Sequence, residues 1–211
     1  LDSIFSEMVR CRVESNGHGA AVRVEGSTAR FNAQQSTCYS SKGNGLVVCE
    51  GKAMLAHCNL SGCGWSGMWV KGKGHVNLQH CHVDENHNGI RVFDQAKALL
   101  VHTNSNGSRG LDGWSVAGTG CSLTASLTAT DSESSKNAGS GAFAVRGAIT
   151  LLRASCCGNG RRGWWPYGSG SSITAEDSRS LLNNGGNAVK FIGTITLKGN
   201  CDLGGQSVQK D

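Results

Sequence analysis

The sequence predicts an all-β solenoid, a single-stranded parallel β-helix of about eight coils, on three observations. First, a glycine followed by a short apolar strand recurs at Gly19, Gly45, Gly67, Gly89, Gly113, Gly141 and Gly163, and Ala188 takes that place last. The spacings are 26, 22, 22, 24, 28, 22 and 25 residues, the beat of a repeat architecture. Second, the segment after each anchor alternates, as in Leu46-Val47-Val48, Met68-Trp69-Val70, Ile90-Arg91-Val92 and Trp114-Ser115-Val116. A period of two marks a strand with one buried face. Third, the 211 residues include 31 Gly and a single Pro, Pro166. Interior strands donate ladder hydrogen bonds on both sides and so exclude proline.

The rest of each coil follows in order. A second strand comes about eight residues after the anchor, in Ala53–Cys58, His75–Cys81 and Ala98–Thr103, and more loosely in Ser122-Leu123-Thr124 and Ile149–Leu152. A third, shorter strand follows in Asn59-Leu60 and His82-Val83. An Asn/Gly turn closes the coil, as in Asn16-Gly17-His18-Gly19, Gly43-Asn44-Gly45 and Asn86-His87-Asn88-Gly89. Gly and Asn are the residues expected where φ turns positive. The two longer coils, those starting at Gly19 and Gly113, are expected to carry longer loops, including Asp131–Lys136. A coil cannot bury its own apolar face, so stability must come from stacking. Leucine-rich repeats, propeller blades and six-residue left-handed helices each need a beat that this sequence lacks.

Apolar residues make up 38% of the chain and are spread evenly, with no linker or charge block, so residues 1–211 read as one domain. The chain enters the repeat almost at once without an initiator methionine, as a fragment of a longer protein would. Plentiful Gly with a single Pro excludes collagen and Pro-rich disorder. A net charge of +5 falls short of the basic asymmetry of many nucleic-acid binders, and no nucleic-acid partner is expected. No run of 18 apolar residues is present, so no membrane span is expected. Ten cysteines are many, yet Cys11, Cys58 and Cys81 recur at one place in the repeat, which suggests buried thiols packing as small hydrophobes. Such thiols, and the absence of a signal-peptide pattern at Leu1–Phe5, favour an intracellular, reducing setting. Cys156-Cys157 and Cys58/Cys63 stand as the exceptions that could pair or hold a metal.

The pattern Gly-Φ-x-Val, then Φ-x-His-Cys-x-Val, then Asn-x-x-Gly resembles the parallel β-helix repeats of the pectin-lyase-like superfamily, best over residues 46–103. The resemblance implies right-handed coils. It also implies that Cys11, Cys58, Cys81 and Thr103 stand where the family usually stacks an internal Asn ladder. The superfamily holds polysaccharide lyases, hydrolases and epimerases beside non-catalytic modules, so the repeat signals fold better than function.

By alternation the outward face of the first strand carries Arg23, Trp69, Lys71, Arg91, Ser115, Trp165 and Lys190. Indoles pack on sugar faces and basic groups neutralise carboxylates, so this face is a candidate groove for an anionic chain. The bland alternative is an ordinary solvated face. The segment Arg161-Arg162-Gly163-Trp164-Trp165-Pro166-Tyr167 breaks the repeat and should hold a bulge or distortion at Pro166. Arg, Trp and Tyr are also enriched at binding hot spots. Trp69, Arg91, Arg161, Arg162, Trp165, Tyr167 and Lys190 are therefore the binding candidates.

Catalytic signals are weaker. Lys71 and Arg91 with His18 could be assembled into a lyase centre, but nothing in their spacing demands it. Glu25, Glu50 and Asp94 do not form the carboxylate pair that glycoside hydrolysis needs. His57, His80 and His102 recur one coil apart, close enough to stack or to bridge a metal, although a closed site wants a fourth donor. No cofactor is expected. The sequence thus favours a non-catalytic binding module for a protein or glycan partner. The alternatives are a carbohydrate-active enzyme (lyase, hydrolase or epimerase) on an acidic polysaccharide and a structural spacer in a larger assembly.

Overall fold

A computed structural model describes residues 5–119, 125–190 and 192–210. The chain is a right-handed parallel β-helix, and three parallel sheets run its length. The first sheet stacks seven strands, Val22–Glu25, Leu46–Cys49, Ser66–Lys71, Asn88–Phe93, Trp114–Ala117, Ala142–Val145 and Trp164–Tyr167. The second stacks nine, Phe5–Val9, Arg30–Gln34, Lys52–Ala56, His75–Gln79, Lys97–Val101, Ser126–Thr130, Ala148–Leu152, Ser172–Glu176 and Thr194–Lys198. The third narrows along most of its length to one bridged residue per coil, from Thr37 through Asn59, His82, Asn104, Glu133, Ser155 and Arg179 to Asp202. In the coil after Gly113 the second strand is Ser126–Thr130, paired with Lys97–Val101. The expected segment Ser122–Thr124 lies outside the described residues.

The core is built by columns. The first inward column of the first sheet runs Val22, Leu46, Met68, Ile90, Trp114, Ala142, Trp164, with Ala188 bridged beyond it. Trp114 and Trp164 are fully buried, and the rungs beside them are Ala142 and Ala188, so each large indole stacks against a methyl. That alternation of large and small rungs keeps the summed side-chain volume within what the tube can hold. The third sheet turns Cys38, Leu60, Val83, Ser105, Ser134, Cys156 and Ser180 inward, all with no exposed surface.

The anchor glycines have a different cause from the one expected. None of the seven has positive φ. Instead the third-sheet side chain of the following coil lies directly over Gly67, Gly89, Gly113, Gly141 and Gly163: a Cβ at Gly113 would stand 1.9 Å from Ser134 Oγ, and one at Gly163 only 1.6 Å from Ser180 Oγ. Asparagine also departs from the expectation, because no Asn among the described residues has positive φ. The turn asparagines form an internal ladder. Asn137 N–H and Nδ2 both donate to Asn159 Oδ1 (3.0 Å each). Asn159 repeats the pattern on Asn183 Oδ1 at 2.9 and 2.8 Å, and Asn183 on Asn187 Oδ1 at 3.1 and 3.0 Å.

Among non-glycine residues positive φ falls mainly on polar side chains at the corners, with Leu182 and Ile192 as the apolar exceptions. Arg10, Gln35, His57, His80, His102, Asp131, Arg153 and Asp177 all occupy it at the bend between the second and third sheets. Behind them, the position read as thiols replacing asparagine holds Cys11, Ser36, Cys58, Cys81, Thr103, Ser132, Ala154, Ser178 and Cys201. The Ser36, Cys58, Cys81, Thr103, Ser132 and Ser178 side chains donate to the carbonyl two residues earlier. The nine cysteines among the described residues are free thiols, including Cys58, Cys63, Cys156 and Cys157. Burial pushes the Cys38 thiol up to about 12 and also raises Cys63 and Cys156.

Two further expectations are corrected. Asp131–Lys136 is no inserted loop: Asp131 is the corner, Glu133 carries the third-sheet bridge, and Ser132, Ser134 and Ser135 are buried. Pro166 makes no bulge, since Trp164–Tyr167 pairs in register with Ala142–Val145. Its cost appears on the far side, where the missing N–H ends the regular ladder of the first sheet. Gly193 packs there so closely that a Cβ would meet the Pro166 Cβ at 2.7 Å. The next coil slips by one residue. Trp164 N–H donates to Asn187 O and Trp164 bridges Ala188, so Asn187, not Ala188, stands in the glycine place.

Candidate functional site: the outward face of the first sheet

Register turns two columns of the first sheet outward. One runs Arg23, Val47, Trp69, Arg91, Ser115, Phe143, Trp165, and the other Glu25, Cys49, Lys71, Phe93, Ala117, Val145, Tyr167. Strand stacking places Trp69 and Trp165 about 19 Å apart, four rungs along the axis. Val47 and Cys49, only 2% and 5% exposed, are small residues lying between larger neighbours in register, so the face begins in earnest at Trp69.

From there, rings and cations interleave. Trp69 meets Phe93 edge-on at 6.3 Å between centroids, Phe143 meets Trp165 at 4.8 Å, and Trp165 meets Tyr167 edge-on at 5.5 Å. The Lys71 ammonium sits 5.0 Å from the Trp69 ring centroid, the Arg91 guanidinium 4.7 Å from Phe93, and the Arg162 guanidinium 4.1 Å from Trp165. Each cation–ring pair contributes about 0.5–1 kcal/mol at such sites and fixes a long side chain flat on the sheet. Phe93 and Phe143 are the members that the sequence reading missed. A phenylalanine in a strand reads as core, and only the register shows it pointing out. The Trp69 and Trp165 indole N–H groups are shielded and have no partner among the described residues.

Charge is concentrated at the centre. Burial pulls the Arg91 guanidinium down from its ordinary value, with Asp112 opposing the shift. Burial pushes the Asp112 carboxyl up, against the Ser140 N–H that donates to Oδ1 at 2.7 Å and against the fields of Arg161 and Arg91. Arg161 is exposed on the turn leading into Trp164–Tyr167, where its N–H donates to Gly139 O at 3.0 Å. Tyr167 is 42% exposed at the strand end. The Trp164–Ala188 bridge sets Val189 beside Trp165 and takes Lys190 out of line with it, so of the binding candidates Lys190 and Arg161 lie off the stacked array.

The catalytic candidates do not converge. Lys71 and Arg91 are each held against a different ring, and His18 is exposed in the turn before Val22–Glu25, about 14 Å along the axis from Arg91 by strand spacing. Two of the three carboxylates nearby are engaged. Glu25 is paired with Arg23 at 2.7 Å, and Asp94 accepts from Gly72 N–H at 3.2 Å and from the Thr119 hydroxyl at 2.9 Å. Glu50 occupies a corner with φ of 64° beside Lys71 and Asp94, lining a shallow depression at the edge of the face.

The three histidines stack. His57 and His80 are 4.9 Å apart with planes at 3°, and His80 and His102 are 4.8 Å apart at 11°. Their in-plane lone pairs therefore run parallel and do not meet at the roughly 2.0–2.1 Å that a shared ion needs. Among the described residues no group of three or more His, Cys, Asp or Glu side chains is arranged to hold a metal. No helix among them is long and apolar enough to cross a membrane.

Comparison with known proteins agrees with the architecture. The family described as right handed beta helix region matches residues 2–179. Among solved structures, a hyper-glycosylated TibA fragment, glycosylated by TibC, aligns over 97% of this chain and 99% of its own at 12% identity and a TM-score of 0.25, a likeness too slight to carry an argument. No curated protein matches. The coil-by-coil register and the family match over most of the length agree, and the chain belongs to the right-handed β-helix family.

Proposed function

We infer that this chain is a non-catalytic β-helix binding module that holds its partner on the outward face of the first sheet, and that the partner the face fits best is an anionic glycan chain. The observation that carries this reading is the interleaved array of Trp69, Lys71, Arg91, Phe93, Phe143, Arg162, Trp165 and Tyr167. Flat rings offer stacking surface for sugar faces, and three pinned cations offer countercharge. The array is stacked in advance, so little side-chain entropy is lost on binding. The engaged carboxylates and the separation of His18 from Lys71 and Arg91 support binding without turnover.

The test is retention on a glycan panel that includes polygalacturonate and neutral polymers, with unsaturated product followed at alkaline pH. The reading expects salt-sensitive retention on the acidic polymer, no product, and a loss of about tenfold or more in affinity for Trp165→Ala and for Arg91→Ala. Product formation abolished by Arg91→Ala would replace it with a lyase. Protein capture sensitive to Trp165→Ala, with no glycan retained, would make the partner a protein. Binding unchanged in Trp165→Ala would remove this face altogether.

A further inference from the structure

The second sheet carries a different surface. In four consecutive coils its first outward column is Arg30, Lys52, His75 and Lys97, paired rung on rung. The next outward column is Asn32, Met54, Asn77 and Leu99, and the last is Gln34, Ala56, Gln79 and Val101. Farther along the same sheet the basic column becomes Ser126, Ala148, Ser172 and Thr194. Within this column the positive charge is therefore confined to one half of the face. Lys73, exposed on the bend just before His75, adds to it, and its carbonyl lies 2.9 Å from His75 Nδ1. Met54 and Leu99, two rungs apart, are 57% and 40% exposed, which is unusual for large apolar side chains at the middle of a sheet. Shallow depressions flank Met54 on both sides, one lined by Arg30, Lys52, His75 and Asn77, the other by Gln34, Ala56 and Gln79.

We propose that this half of the second sheet is a docking face for an acidic, amphipathic peptide segment of a partner protein, laid along the solenoid axis. Carboxylates of the segment pair with the Arg30–Lys52–His75–Lys97 column, which spans about 14 Å by strand spacing. Its apolar side chains cover Met54 and Leu99, and the amides of Asn32, Asn77, Gln34 and Gln79 take up its polar backbone. Charge complementarity selects an anion, and the absence of any ring but imidazole selects the class. On this sheet no Trp, Tyr or Phe faces outward over the four coils, so bases and sugars have no aromatic platform here. Exposed Met and Leu beside a basic column suit Leu and Glu side chains better than a uniformly polar polymer, and flexible methionine recurs on surfaces that grip such segments.

The surface is separate from the first-sheet face, and the test keeps the two apart. A labelled synthetic peptide of Glu and Leu is titrated into the full chain by fluorescence anisotropy, with its Gln/Leu counterpart, polygalacturonate and poly(dT) as comparisons. The expected result is saturable binding of the Glu/Leu peptide that weakens with salt. Lys52→Glu/Lys97→Glu should weaken it by about tenfold or more, while Trp165→Ala leaves it unchanged. Lys52 and Lys97 are exposed, so the double variant should keep its circular dichroism; Met54→Ser/Leu99→Ser, which leaves the charges in place, should weaken binding as well. The proposal is overturned if the Glu/Leu peptide does not bind, if the Gln/Leu peptide binds equally well, or if either double variant binds as tightly as the parent. It is also overturned if polygalacturonate or poly(dT), and not the peptide, is the ligand whose affinity the lysine reversals reduce.

Discussion

His80 shows how this molecule uses single residues. Its φ of 51° is a conformation that most side chains avoid, yet the imidazole stacks on His57 and His102 there, and the same corner is polar in every coil from Arg10 to Asp177. Polar side chains tolerate this backbone and can be satisfied outside the tube, whereas a branched apolar one meets the full steric penalty. His80→Val is therefore expected to lower unfolding free energy by about 2 kcal/mol in urea titration, and His80→Gly by well under half of that. Equal losses for the two variants would remove backbone conformation as the reason for the ladder. The thiols make a second argument at this scale. Cys38, Cys63 and Cys156 are raised by burial, so the unfolded chain ionises them first. Their contribution to stability is fully present below the ordinary thiol value near 8.5 and is lost as pH rises toward about 12, the value reached by Cys38. Thermal midpoints measured upward from pH 8 should fall, and should fall less steeply in Cys38→Ala relative to its own neutral-pH midpoint.

At the scale of the element, the turn into the first strand is where sequence and structure part most usefully. The glycines and asparagines were visible as a beat, and the beat located every coil. Their physical role was not visible, because it depends on the neighbouring coil: Ser134 over Gly113, Ser180 over Gly163, Asn159 over Asn137. A sequence read one coil at a time assigns such residues to backbone conformation. Only stacking reveals close approach and side-chain hydrogen bonding. Asn159 accepts two hydrogen bonds from Asn137 and donates to Asn183 Oδ1 and Ser134 O. Asn159→Ala would leave the buried Asn137 N–H unsatisfied, so a loss of about 2 kcal/mol or more is expected in denaturant unfolding. A loss below about 0.5 kcal/mol would mean that water replaces the ladder. The aromatic face follows the same logic. Trp69, Arg91 and Trp165 were legible from alternation, but Phe93 and Phe143 were hidden by their composition and Lys190 was misplaced by the slip after Pro166. The second-sheet basic column was missed because Arg30, Lys52, His75 and Lys97 are four isolated residues in the sequence and one column in space.

At the scale of the whole molecule, a tube of coils that bury one another leaves long flat faces, and function can be placed on any of them at little cost to the core. The fold was largely legible because the repeat is written many times over. The site was only partly legible because each face is written once, spread across coils, and depends on register. The core itself separates the indoles cleanly: Trp114 and Trp164 lie inside the tube, Trp69 and Trp165 on the first-sheet face, and Trp65, 53% exposed, on the turn before that sheet. This makes the five indole N–H signals direct reporters of where a partner sits. The most direct test of the binding face is a titration of the nitrogen-15-labelled chain with polygalacturonate, following those five signals after assignment by single Trp→Phe substitutions. The account predicts that Trp69 and Trp165 move together with one saturation curve while Trp114 and Trp164 stay fixed. Shifts confined to Trp65, or no shift at Trp69 and Trp165 while the polymer is bound, would contradict it.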